Sequence, residues 1–270
     1  MFPAFTIGGF ELPLYGLISV IGFAFAIAVA CHLSPRCGWP RIDILFASFY
    51  GIIGLATGAK LLYFITYLPN IINHWDYYKS QPFAILLYGF SGFVFYGGLL
   101  GMFLGVWIYC RQFHMNTYAV MNVAAPAIPV MHAFGRIGCF LGGCCYGIEY
   151  HGLFSVQFPN DSDVKGLGDF PRFPTQLAES LFNFVLFIIL FVYVKKGKPR
   201  QGQALGLYLI AYPIERFFIE FLRGDAIRGH FLFLSTSQWI SLILLPIGIY
   251  FTFRKDKNVS TKETSNQTVG

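Results

Sequence analysis

Seven stretches of mostly apolar residues, each close to a bilayer's width as a helix, constrain this chain more than any other feature. They run roughly over 12–32, 42–68, 93–110, 117–134, 175–194, 202–221 and 237–253, and polar connections separate them. A helix needs roughly 20 such residues to cross the hydrocarbon. In lipid the backbone must satisfy its own hydrogen bonds, which a helix does. Only 12% of the 270 residues are charged and 56% are hydrophobic, against about 25% charged in a typical soluble domain. So few charges cannot cover a soluble globule of this length. The expected fold is an all-α integral membrane protein with seven transmembrane helices and a small extracytoplasmic head segment.

The net charge of +6 would raise nucleic acid as a partner in a soluble chain. Here the basic residues sit in short connections and in the tail, without aromatic interleaving, so topology accounts for them and no nucleic acid is expected. Arg36 and Arg41 follow the first stretch, Arg111 the third, Lys195, Lys196, Lys198 and Arg200 the fifth, and Arg254, Lys255 and Lys257 the seventh. The alternate connections are poorer in Lys and Arg and carry Asp76, Asp161, Asp163 and Asp169. That asymmetry predicts an N-terminus outside and a C-terminus in the cytoplasm. Residues 1–257 then form one transmembrane domain, with an external segment at about 139–174. The polar tail 258–270 is expected to be disordered. Residues 1–12 hold no Lys or Arg, unlike a secretory signal. The aromatic-rich segment 69–90 predicts an interfacial layer or half-helix. Residues 152–158 alternate like a short strand, and 160–168 read as a turn. There is no internal repeat of the kind that builds many transporters.

Ionisable residues at lipid depth are costly and usually face a cavity. Arg136 lies in a run from His132 to Gly147 that holds Gly135, Gly138, Gly142, Gly143 and Gly147. Such glycine density predicts a poor helix interior with exposed backbone amides, and a guanidinium beside exposed amides suits a phosphate. An arginine snorkelling to headgroups is the other reading. Arg216, Glu220 and Arg223 are spaced four and three apart and share one helix face. Thr175, Gln176 and Glu179 open the fifth stretch, where an acidic residue suits a helix start. Lys60 in the second stretch predicts a paired or snorkelling cation.

The run Gly135-Arg136-Ile137-Gly138-Cys139-Phe140-Leu141-Gly142-Gly143-Cys144-Cys145-Tyr146-Gly147 resembles the signature G-R-I-G-N-F-x-N-x-E-x-x-G of bacterial prolipoprotein diacylglyceryl transferases. Further segments resemble that family in order along the chain. Tyr15-Gly16-Leu17 is similar to its Y-G-L, and Tyr96-Gly97-Gly98-Leu99-Leu100-Gly101 to its H-G-G-L-I-G. Pro174-Thr175-Gln176-Leu177 is similar to its H-P-S-Q-L-Y-E, Arg216 to Arg223 to its R-F-x-x-E-F-x-R, and Ser237-Gln238 to its final S-x-x-Q. The resemblance implies a seven-helix enzyme of the bacterial cell membrane. That enzyme moves a diacylglyceryl group from phosphatidylglycerol to a cysteine thiol of a lipoprotein precursor, at its signal peptide, and glycerol phosphate leaves. It implies Arg136, Arg216 and Tyr96 as catalytic positions. Tyr15, Gly97, Gly98, Gly135, Cys139, Gly147, Gln176, Glu220 and Arg223 are the implied substrate-binding positions. It implies no cofactor and no metal.

The departures are specific. Tyr96 stands where the family carries a histidine, and a phenol is a poorer proton acceptor near neutral pH than an imidazole. Tyr96 can still hydrogen-bond a phosphate, and His132 is a substitute base one helical turn before Arg136. Cys139, Gly142 and Cys144 replace the signature's two asparagines and glutamate, and Phe173 replaces a histidine. Cys139, Cys144 and Cys145 are open to three readings: thiol chemistry aided by Arg136, a soft metal site of weak zinc spacing, or small inert buried thiols. These departures keep a second function in view, a divergent paralogue that binds lipid or anions, or does thiol chemistry, without the transfer.

Overall fold

The structure, a computed structural model, describes residues 4–7, 10–159, 167–224 and 230–254. Most of the turn expected over 160–168, and all of the tail 258–270, lie outside the described residues. The chain opens on a hairpin of β1 (Ala4–Ile7) and β2 (Phe10–Pro13). Helix α1 (Leu14–Leu33) follows, then a 3-10 turn at Ser34–Arg36 and α2 (Arg41–Asn73). Short helices α3 (Trp75–Ser80) and α4 (Pro82–Gly89) lead to α5 (Phe95–Gln112). The chain continues through α6 (Thr117–Ala124), α7 (Ala127–Leu141), α8 (Thr175–Lys196) and α9 (Gln203–Ile219). A 3-10 turn at Glu220–Leu222 and the hairpin β3 (His230–Phe231) and β4 (Leu234–Ser235) precede α10 (Thr236–Phe253).

All seven apolar stretches are helical. Among the described residues, five runs are long and apolar enough to cross a membrane: Leu14–Arg36, Arg41–Asn73, Thr117–Leu141, Thr175–Lys196 and Thr236–Phe253. The two that fall short have visible reasons. Helix α9 has 17 residues and carries Glu215 and Arg216. Helix α5 is diluted by Gly97, Gly98, Gly101 and Gly105 and ends on Arg111 and Gln112. The third run breaks between α6 and α7 at Pro126, which has no amide hydrogen for the ladder. At 33 residues, α2 is roughly 50 Å long, well beyond the roughly 30 Å of hydrocarbon. Its far end joins α3 and α4 in a small cluster of Ile71, Tyr78 and Ala84. The aromatic segment 69–90 is thus a helical extension folded back on α2, with the Tyr67 and Tyr78 hydroxyls 3.0 Å apart.

Three expectations need correction. The glycine run is not a broken segment, because α7 continues through Gly135, Gly138 and Cys139 to Leu141. Gly138 brings that helix against Tyr15 of α1, where a Cβ would stand 3.0 Å from the ring. Glycine serves close approach there rather than backbone freedom. The reversal waits for Gly143 at φ +68° and Cys145 at φ +63°. Residues 152–158 form no strand; Val156 alone of them bridges, to Arg172. At the start of α10 the operative S-x-x-Q is Ser235 to Gln238, a reciprocal cap in which each side chain holds the other's backbone amide.

Helix α5 packs closely on α2 through glycines at the crossing. A Cβ on Gly54 would collide with the Gly101 carbonyl and one on Gly58 with the Gly97 carbonyl, and the reverse holds for Gly97 and Gly101. This is the small-residue spacing that lets membrane helices touch backbone to backbone. Lys60, on α2, donates to the Phe90 carbonyl at 2.6 Å and lies over the Phe93 ring. Its task is to pin the connector. Replacing Gly101 by leucine should destabilise the detergent-solubilised protein by about 1–3 kcal/mol or more. Gly135→Ala, which meets nothing within 4 Å, should leave it unchanged or raise it by at most about 1 kcal/mol. Thermal unfolding of the two variants checks both outcomes.

Candidate functional site

Helix α8 carries an unusual stripe for a membrane segment. Thr175, Gln176, Glu179, Ser180 and Asn183 are all buried, while Leu181, Val185, Ile188, Ile189 and Val192 on the other side are exposed. The polar face therefore points into the protein. Thr175 donates to the Cys145 carbonyl at 2.9 Å and Gln176 to the Cys144 carbonyl at 2.8 Å, which fastens the loop after α7. Ser180 donates to the Ala133 carbonyl at 3.0 Å, which fastens α7 itself. Asn183 turns back to the Glu179 carbonyl at 2.8 Å.

Glu179 is the centre. Its side chain is fully buried, and Arg136 Nη2 lies 2.8 Å from one carboxylate oxygen. Arg223 Nη1 approaches the other oxygen at 3.2 Å and Arg216 Nη1 at 3.9 Å. Arg216 Nη2 reaches Glu220 at 2.6 Å and donates to Ser237 Oγ at 3.1 Å. Helices α7, α8 and α9 and the first turn of α10 thus meet in one ionic cluster. Each charge held alone at lipid depth would cost roughly 2.5–3.5 kcal/mol. A contact pair gains on the order of 4 kcal/mol at an effective dielectric near 20. Pairing therefore decides whether the cluster can exist. Among the groups in ion-pair contact three guanidiniums face two carboxylates, which leaves one positive charge. Arg216 Nη1 is buried and makes no hydrogen bond among the described residues, and neither does Gln176 Oε1. A buried surplus cation with an unfilled donor is a seat for an anion.

Of the residues singled out in the sequence, the structure gathers Arg136, Arg216 and Arg223 on Glu179, with Glu220 on Arg216 and Gln176 on the same buried face of α8 as Glu179. Tyr15 joins at Gly138 and lies within electrostatic range of Arg136 and Cys139. Gly135 leaves open space before Arg136. Gly147 has a reason of its own: its amide donates to the Phe173 carbonyl, Ile148 donates to Leu222, and Gly224 donates to Tyr146. A Cβ at Gly147 would strike the Phe173 carbonyl in that seam. Tyr96, Gly97 and Gly98 are not on these helices. Tyr96 is half exposed at the start of α5, and Gly97 and Gly98 pack on α2. His132 takes part in a 3.1 Å hydrogen bond with the Tyr208 hydroxyl and packs beside Tyr212.

Two residues are more important than the sequence suggested. Glu179 read as a helix-start carboxylate. The signal that could have found it was its place six positions along the Pro174 motif, four residues from Asn183 on the same buried face. Glu215 was overlooked. It lines an apolar cavity of about 440 Å³ with Phe182, Ala211, Ile214, Phe218, Ile219 and Leu222, while both its carboxylate oxygens are buried and lack hydrogen-bond partners among the described residues. The cavity lies between α8 and α9 beside exposed Phe218 and Ile214, so it opens on the outer face of the bundle.

The three cysteines are neighbours. The sulfurs of Cys139, Cys144 and Cys145 lie within 4.8 Å of one another. The Cys145 thiol is held well below the usual thiol range, by hydrogen bonds from Cys139 and Cys144 first and then by Arg223 and Arg136.

Removing the central carboxylate should be far more damaging than removing a surface one. Glu179→Gln should cost about 3–5 kcal/mol, as expected for one partner of a buried ion pair. Glu149→Gln, which loses only an exposed contact with His151, should cost within about 1 kcal/mol. Unfolding in detergent measures both, and equal losses would contradict the central place of Glu179.

Comparison with known proteins agrees with the motifs. A family model described as prolipoprotein diacylglyceryl transferase matches residues 3–254. A phosphatidylglycerol–prolipoprotein diacylglyceryl transferase of Clostridium tetani is 34% identical over 253 residues, covering 94% of this chain and 96% of that protein. Its counterpart numbered 2 from Clostridium perfringens is 33% identical over 259 residues, 96% of each chain. One from Idiomarina loihiensis is 30% identical over 257 residues, covering 94% and 92%.

Proposed function

The chain belongs to the prolipoprotein diacylglyceryl transferase family, and from that premise we propose how its residues perform the transfer. It is a membrane transferase of lipoprotein biosynthesis that moves a diacylglyceryl group from phosphatidylglycerol to a prolipoprotein. The observation that carries the residue assignment is the convergence of Arg136, Arg216 and Arg223 on the buried Glu179 carboxylate.

In this reading phosphatidylglycerol enters sideways from the bilayer, and its acyl chains lie along the apolar cavity between α8 and α9. Its phosphate takes the surplus positive charge of the cluster, held by Arg136 and by the open Nη1 of Arg216. Glu220 and Arg223 orient those two groups. The precursor's thiolate sulfur attacks the glyceryl carbon that bears the phosphate ester. A carbon–sulfur bond forms, the carbon–oxygen bond breaks, and the electron pair departs on glycerol phosphate. Fixed cations beside that oxygen stabilise the charge as it develops. Tyr96 supplies a hydrogen bond to the phosphate. Tyr15, Gly97, Gly98, Gly135, Cys139, Gly147 and Gln176 shape the binding surface. The precursor presents its cysteine at its signal peptide.

The finer topology belongs to the same proposal. Helices α5 and α9 complete seven crossings in one domain, 1–257, of a bacterial plasma membrane, with the N-terminus outside and the C-terminus inside. The Lys and Arg distribution supports that orientation. Purified protein given phosphatidylglycerol vesicles and a lipobox peptide should release glycerol phosphate. Arg136→Ala should lower that release by at least about 100-fold, the usual loss for one stabilising donor. Full release from Arg136→Ala would sink its role. Lipid binding without any release from the native chain would favour the paralogue reading, which Tyr96 in place of the family histidine motivates.

A further inference from the structure

Cys144 and Cys145 have no role in the transfer just described and Cys139 only borders its binding surface, yet the arrangement of the three is specific. Cys139 lies in the last turn of α7, and Cys144 and Cys145 come back beside it after the reversal at Gly143. The backbone of all three is fixed. The Cys144 amide donates to the Cys139 carbonyl at 3.1 Å, and Gln176 and Thr175 hold the carbonyls of Cys144 and Cys145. The sulfurs form a triangle with no edge above 4.8 Å. An ion bonded at roughly 2.3 Å to each sulfur needs edges of about 4 Å, so an inward shift of about half an ångström closes the site. Cys144 is exposed and gives an ion a way in, while Cys139 and Cys145 are partly buried.

We propose that Cys139, Cys144 and Cys145 form a three-sulfur site for a thiophilic cation, Cu(I) in particular. Thiolates are soft ligands that select copper(I) and zinc. A structural zinc site takes four protein ligands in a tetrahedron, and among the described residues the group offers three sulfurs with no histidine or carboxylate as a fourth. Three coplanar sulfurs suit the singly charged ion. Three thiolates around one positive ion leave two negative charges, and Arg223 and Arg136 are the cations that act on Cys145. Loading draws the thiolates together beside Arg136. Copper therefore also suppresses turnover, a consequence that rests on the transferase reading above.

The test is a titration of the reduced, full-length protein in detergent with Cu(I) buffered by a chromogenic chelator and no substrate present. One equivalent of copper should leave the chelator, with a sulfur-to-metal charge-transfer band. Cys139→Ser, Cys144→Ser and Cys145→Ser should each weaken binding by more than about 100-fold, the upper end of what losing a mere supporting group costs. A Cys31→Ser, Cys37→Ser, Cys110→Ser variant should bind as the native chain does. X-ray absorption on the native protein should find three sulfurs at about 2.3 Å, so the assignment stays testable even where a variant folds poorly. No copper taken from the chelator, nitrogen or oxygen donors on the metal, or binding that survives all three substitutions would overturn the site. Copper bound with undiminished release of glycerol phosphate would overturn the coupling to turnover. Because the titration uses no lipid, failure of the transferase reading leaves its result intact.

Discussion

The buried carboxylate of Glu179 is the constraint on which the rest depends. One anion of zero exposure takes contacts from three guanidiniums carried by α7, α9 and the turn after α9. Directional contacts of that kind fix helix positions that apolar packing alone leaves free to slide. They also explain why arginine and not lysine fills all three places. A planar guanidinium can meet a carboxylate with one edge and keep other donors for a second partner, as Arg216 does with Glu220 and Ser237. The cluster is stable as a structural unit only through its pairing, yet it keeps one positive charge in excess of neutrality. That imbalance separates a site from a brace. A brace at lipid depth would close its charges, because each open one is costly.

The stripe on α8 shows how the sequence builds the cluster. Positions 175, 176, 179, 180 and 183 recur at helical spacing and face inward, so this segment is polar inside and apolar outside. Thr175 and Gln176 grip the loop that follows α7, and Ser180 grips α7. The same few side chains that place Glu179 thus also place Arg136 and the three thiols. A substitution along this stripe acts on the geometry of all of them at once.

Much of this was legible without coordinates. Apolar length alone marked every long helix, and the spacing of Arg216 and Glu220 put those two together. Arg223, however, lies past the end of the helix and meets the cluster through Glu179, not through a shared helix face. What the sequence concealed has physical causes. Glycine has two uses, backbone freedom and close approach, and composition does not separate them. The run around Gly135 read as irregular because the partner that needs the approach, Tyr15, is more than a hundred residues away. Glu179 looked like an ordinary helix-start carboxylate because its partners come from two other helices. The folding back of α3 and α4 depends on α2 running on to Asn73, past its apolar stretch, which a hydropathy profile cannot express.

The two halves of the bundle are held by different physics, and the proposed chemistry draws on both. The arginine cluster is fixed by short ion pairs. Helices α2 and α5, with Tyr96 at the start of α5, are joined across glycines by backbone contact, with no ion pair at the crossing among the described residues. Contact of that kind is strong only at one separation, since a single added Cβ strikes a carbonyl. It therefore sets the depth and angle of α5 as firmly as a salt bridge would, though by exclusion instead of attraction. A substrate phosphate seated on Arg136 and Arg216 would meet Tyr96 only where that exclusion has already put it. The glycines of α5 are then positioning residues for the site, although they touch none of its charges.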